Sequence, residues 1–168
     1  MMARWSEFAT AAPRLADVVY GLLHQYGPGL GYLATVRADG GPRVHPVSPV
    51  VYGGGLYCFI IASPKRRDLE RDGRYALHSF PPDSSEDEAY ISGRAVRVTE
   101  AGMVARLAHE MRAERRVDWR LYEFTIEVAM AMRRGVPPTA AGTDAPTARE
   151  IWHDPAVRSR TEAADSVQ

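Results

Sequence analysis

Three prolines, Pro42, Pro46 and Pro49, interrupt a segment otherwise suited to a strand, Arg43-Val44-His45-Pro46-Val47-Ser48-Pro49-Val50-Val51-Tyr52. Proline has no N–H to give to a ladder. This strand must therefore lie at an edge, carry a bulge, or open part of its length to something other than a neighbouring strand. Upstream, Tyr32 to Arg37 reads as a strand, and Asp39-Gly40-Gly41 between the two is a strong hairpin signal. Downstream, Gly53-Gly54-Gly55 turns the chain into a third strand, Leu56 to Ile61, and a helix follows. Ser63 suits the N-cap, where its hydroxyl can accept from the next turn, and Pro64 suits the first helical position. Gly73 suits the left-handed residue that ends the helix.

The first turn of that helix carries Lys65, Arg66 and Arg67. A helix N-terminus presents free N–H groups and partial positive charge, so cations there have the wrong sign for the helix and the right sign for a bound anion. Two readings stand, a solvated basic turn or a phosphate site. Lys65 is the only lysine of a chain whose other basic residues are all arginine, which draws attention to it.

Pro13 to Tyr26 spaces Leu15, Val18, Val19, Leu22, Leu23 and Tyr26 as one helical stripe, and Trp5 and Phe8 fit a short turn of helix before it. Arg74 to Phe80 reads as a fourth strand, residues 81 to 88 as an acidic, proline-led loop, and Ala89 to Val98 as a fifth strand with a bulge or close approach at Gly93. Glu100 to Met111 is a second amphipathic helix. The sixth strand alternates, with Tyr122, Phe124, Ile126, Val128, Met130 and Met132 on one face and Leu121, Glu123, Thr125 and Glu127 on the other. The expected organisation is a domain over residues 1–134 with a helical lead-in at 4–26, a low-complexity linker at 135–147, and a tail at 148–168 that frays from Asp154.

Six strands in hairpin order with flanking helices predict a mainly β protein, a six-stranded antiparallel barrel whose closure removes exposed edges. A barrel this small fills its interior with side chains. A large ligand would sit in a groove outside it, with a second subunit as the other wall. At 168 residues the chain can hold one proper core. Its 21 basic and 21 acidic residues cancel, so the charge footprint of a general nucleic-acid binder is absent. No apolar run is long enough to span a membrane, and no export signal is evident. Cys58, the only cysteine, sits in an apolar strand as core, which fits a cytoplasmic protein.

The hairpin from Pro42 to Val50, the Ser63-Pro64-Lys65 turn and the run Leu69-Glu70-Arg71-Asp72-Gly73-Arg74 together resemble the pyridoxamine 5'-phosphate oxidase-like proteins, the flavin-binding split barrels. The resemblance covers residues 14 to 132. It implies a homodimer with FMN at the interface, where Val47, Ser48, Phe59 and Ile60 would flank the ring. Arg43, Ser63 and Lys65 would hold the phosphate. Pro64 stands where the oxidase proper has a second basic residue, with Arg66 or Arg67 as a substitute. Glu88 stands where that enzyme brings a glutamine to the ring, and a carboxylate there would disfavour an anionic reduced flavin. Trp152, with Arg149, would reach the partner's cofactor or else simply dock. His45 is either a polar residue beside a turn or a contact to the ring or substrate.

The activity so implied is hydride transfer between the flavin and a small substrate, where the cofactor does the difficult step and the protein positions it. Deazaflavin coenzyme F-420 is a close alternative, because relatives that use it have a helix motif similar to Lys65 to Arg74. A non-catalytic flavin or haem binder is the other class, with His45, His78, His109 or His153 as axial candidates.

Overall fold

The structure is a computed structural model that describes residues 2–114, 116–133 and 148–157. The expected linker at 135–147 and the end of the tail from residue 158 lie outside the described residues. Two helices, α1 (Trp5–Ala11) and α2 (Pro13–His24), lead into β1 (Gly31–Val36), β2 (Pro42–Val47), β3 (Val50–Tyr52) and β4 (Gly55–Ile61). Then come α3 (Pro64–Arg71), β5 (Arg74–Ser79), β6 (Glu88–Arg97), α4 (Ala101–Glu110), β7 (Trp119–Arg133) and β8 (Ala148–His153).

The sheet has eight strands where the sequence predicts six. Both extra strands have a physical cause. The proline-rich segment is two strands, because the chain leaves the ladder at Ser48-Pro49, and the tail adds β8 along β7. All pairings are antiparallel, in the order β2-β1-β5-β6-β7-β4-β3.

That order places β2 and β3 at opposite edges of the sheet, yet Val47 ends one and Val50 begins the other. Three residue steps reach about 10 Å at full extension. The sheet must therefore curl until its edges nearly meet, while no ladder joins β2 to β3. Pro46 and Pro49 have no N–H to offer across that seam. The result is a barrel split along one side.

Local signals are met at both hairpins. Gly53 and Gly54 have φ of 54° and 81°, the paired positive values of the two-residue turn that matches strand twist. Along β7 the alternation fails after Ile126. Ser92 of β6 pairs with Val128 and Gly93 with Ile126, so Glu127 is an extra residue, and beyond it Ala129 and Ala131 are the buried pair. Gly93 is a point of close backbone approach beside the bulge, as the sequence predicts. A Cβ there would lie 2.0 Å from the Thr125 carbonyl oxygen.

The main core joins the α2 stripe, Leu15, Ala16, Val19 and Leu23, to Leu33, Leu77, Ile91 and Phe124 of the sheet. Asp154 does not fray. Its buried carboxylate accepts the Ala3 amide at 2.9 Å, and its own amide donates to Glu127 O at the bulge, knitting both ends of the chain to β7.

Candidate functional site

Helix α3 lies between the β1–β2 hairpin and the β4–β7 pair, and its side chains divide between those neighbours. On the hairpin side, buried Asp68, 4% exposed, accepts from Arg43 Nε at 2.7 Å, Thr35 Oγ1 at 3.0 Å and Arg71 at 3.4 Å. Burial pushes the Asp68 carboxyl up, and the bonds from Arg43 and Thr35 outweigh it, so its pKa lies below the ordinary value. On the other side Arg66 forks onto Asp118, with contacts of 2.8 Å and 3.0 Å, and holds that carboxyl below its usual range. Glu70 accepts from Arg120 and from the Tyr122 hydroxyl.

Between these two sets stands Lys65, half-buried, its side chain without a hydrogen bond or ion pair to any described residue. Its charge is felt by Cys58, whose thiol burial nonetheless pushes up to about 12. Cys58 is core, as the sequence predicts. Ser63 occupies the N-cap position, but its hydroxyl donates to Ile61 O at 2.8 Å and caps nothing. The first-turn N–H groups of α3 are thus without their side-chain partner.

The residues expected around a cofactor fall into two groups. Ser48 accepts the Cys58 thiol through its carbonyl oxygen at 3.5 Å, which brings Val47-Ser48 beside β4, the strand of Phe59 and Ile60. Phe59 is half-buried against Trp119, with ring centres 4.7 Å apart, while the side chain of Ile60 is wholly buried. Lys65 lies near this group through Cys58. Arg43, Arg66 and Trp152 are held elsewhere: the two arginines by Asp68 and Asp118, and Trp152 against Phe8 of the same chain at 5.1 Å.

Pro64, Arg67, Asp68 and Arg71, at one-helix-face spacing, line a cavity of about 350 Å³ with Arg37, Ala38, Asp39 and Arg43. That spacing is visible in the sequence. The turn that completes the lining is not, since it comes from another hairpin.

Among the described residues, no helix covers the sheet face opposite α2. Across it run Pro46–Tyr32–His78–Tyr90–Met130–Ile151 and Val44–Ala34–Ala76–Ser92–Val128–His153, each residue opposite the next. Every one of these residues is exposed or half-buried, Val44 at 57%. His78 is fixed on this face, with Nδ1 at 2.7 Å from Ser79 O and Nε2 at 3.3 Å from Glu88. His153 is exposed at the β8 edge, His45 is half-buried on β2 and His109 is exposed on α4.

The curled sheet, its seam at β2 and β3 and the helix after β4 define the split-barrel fold of the pyridoxamine 5'-phosphate oxidase-like proteins. Solved structures with this fold include HutZ, the heme storage protein of Vibrio cholerae, which is 16% identical over 69% of this chain and 89% of its own, with a TM-score of 0.52. A Listeria innocua protein named after pyridoxamine 5'-phosphate oxidase is 17% identical over 66% of this chain and 92% of its own, with a TM-score of 0.55. A NimC/NimA family protein of Clostridium acetobutylicum is 15% identical over 70% of this chain and 85% of its own, with a TM-score of 0.53. At these identities the likeness is one of fold. No family model and no curated protein matches the sequence. No helix among the described residues is long and apolar enough to cross a membrane.

Proposed function

We propose that this chain binds FMN and serves as an oxidoreductase that passes hydride between the flavin and a small substrate. The observation that carries the reading is the N-terminus of α3, where an unpaired, half-buried Lys65 stands beside first-turn amides that Ser63 leaves uncapped. These groups fit a phosphate ester by charge and by donor chemistry. Lys65 supplies the charge, and the amides supply direction. At the Ser48-Pro49 seam, where the ladder stops, Val47, Ser48 and the β4 backbone at Phe59 and Ile60 would seat a flat polar ring, a reading supported by the Cys58–Ser48 contact that brings the two segments together. A bound flavin would supply the hydride chemistry, and the chain's own part is to hold it and exclude water.

A second copy of the chain would cover the open sheet face and close the groove. That face offers two mainly apolar rows, interrupted by His78, Ser92 and His153, which suits a homodimer. Coenzyme F-420 would use the same anion-binding end of α3. Haem is favoured by a different observation, the likeness to HutZ together with His153 exposed at the sheet edge.

The test is the absorption spectrum of the purified protein, followed by separate titrations with FMN, F-420 and haem. Saturable FMN binding supports the reading. Binding of F-420 alone moves the cofactor, a Soret band favours the haem binder, and binding of none removes the oxidoreductase proposal.

A further inference from the structure

We propose that the cavity between the β1–β2 turn and α3 is a second anion site, built for a compact polyanion of the phosphate class and separate from Lys65. Four guanidinium groups, those of Arg37, Arg43, Arg67 and Arg71, line about 350 Å³ with two carboxylates, Asp39 and Asp68. The carboxylates are spent. Asp39 holds Arg37 and accepts the Gly41 amide at 3.0 Å, and Asp68 takes Thr35, Arg43 and Arg71.

What remains is donor capacity. Arg43 is held through Nε alone among the described residues, so its two terminal amino groups have no protein partner. The Arg67 side chain makes no hydrogen bond or ion pair to any described residue, and its backbone amide donates to Ser63 O at 3.3 Å. Arg71 also donates to Val36 O, which fixes its guanidinium to the wall. A buried acid that orients an arginine while leaving its outer N–H groups free positions it for a planar or tetrahedral oxyanion. The four arginines outnumber the two carboxylates of the lining by two charges, an excess that a further anion would balance. A group with two or more negative charges satisfies both the geometry and the excess of positive charge.

The site shares α3 with the flavin reading and uses Arg43 and Arg67, which the resemblance also offers to the flavin phosphate, but neither Lys65 nor Ser63 lines it, and it does not depend on flavin binding. The full chain would be titrated calorimetrically with inorganic pyrophosphate at low ionic strength, as wild type, Arg67→Ala and Lys65→Ala. Arg67 is exposed and unpaired, so Arg67→Ala leaves the fold intact, which a thermal melt checks.

The expected result is saturable pyrophosphate binding that Arg67→Ala weakens by about tenfold to a hundredfold and Lys65→Ala leaves in place. Added salt should weaken it further. No saturable binding to the wild type, or equal binding by Arg67→Ala, overturns the proposal. A parallel FMN titration separates the sources of phosphate. If pyrophosphate displaces FMN, the cavity belongs to the cofactor and the second site is overturned. If FMN fails to bind while pyrophosphate does, the flavin reading falls and this site stands.

Discussion

Gly93 of β6 and Thr125 of β7 approach so closely that a Cβ on Gly93 would lie 2.0 Å from the Thr125 carbonyl oxygen. The contact sits beside the bulge at Glu127, where the ladder changes register. Backbone meets backbone here, so no side chain can move aside. Gly93→Ala should cost about 2 to 3 kcal/mol through a forced shift of β7. Urea unfolding would show it as a lower midpoint with an unchanged slope.

Asp68 predicts a pH dependence. Its folded pKa lies below the ordinary 3.8, because the bonds from Arg43 and Thr35 overcome the effect of burial. The unfolded chain therefore takes up this proton first as pH falls. The stability it contributes is present above the ordinary value and is lost as pH drops through the folded one. Asp68→Asn should lose about 2 kcal/mol at pH 7. Its stability should also fall less steeply than that of wild type between pH ~5 and pH ~3, as read by urea unfolding at each pH.

The open face predicts assembly. Ala76 sits in the middle of the Val44 to His153 row, opposite Ala34 and Ser92. On this account Ala76→Glu places a charge in the centre of a dimer contact, which costs several kcal/mol once desolvated. Sedimentation should find a dimer for wild type and a monomer for Ala76→Glu, with unchanged circular dichroism. A wild-type monomer at micromolar concentration would contradict it.

Much of this architecture is legible because it is local. Asp39-Gly40, Gly53-Gly54 and Gly73 mark turns, and all four of these glycines have positive φ. The three prolines mark a strand that cannot sit inside a sheet. They do not reveal that the chain crosses there from one edge to the other, since that depends on curvature summed over the whole sheet. The shift at Glu127 is hidden because Val128, Ala129, Met130 and Ala131 are all apolar, so either phase looks buried. At the site, the residue type at Ser63 predicts a cap, but a competing carbonyl at Ile61 takes its hydroxyl. The Asp68 pairings join residues far apart in sequence, and no periodicity announces them.

The central claim is that Lys65 and the free end of α3 hold a phosphate. The most direct measurement compares FMN with riboflavin, which lacks the phosphate, in wild type and Lys65→Ala by fluorescence titration. The account predicts that wild type prefers FMN, that Lys65→Ala loses about 1.5 to 3 kcal/mol of FMN affinity, and that riboflavin binding hardly changes. Equal losses for both ligands, or an FMN preference that survives the substitution, would contradict it.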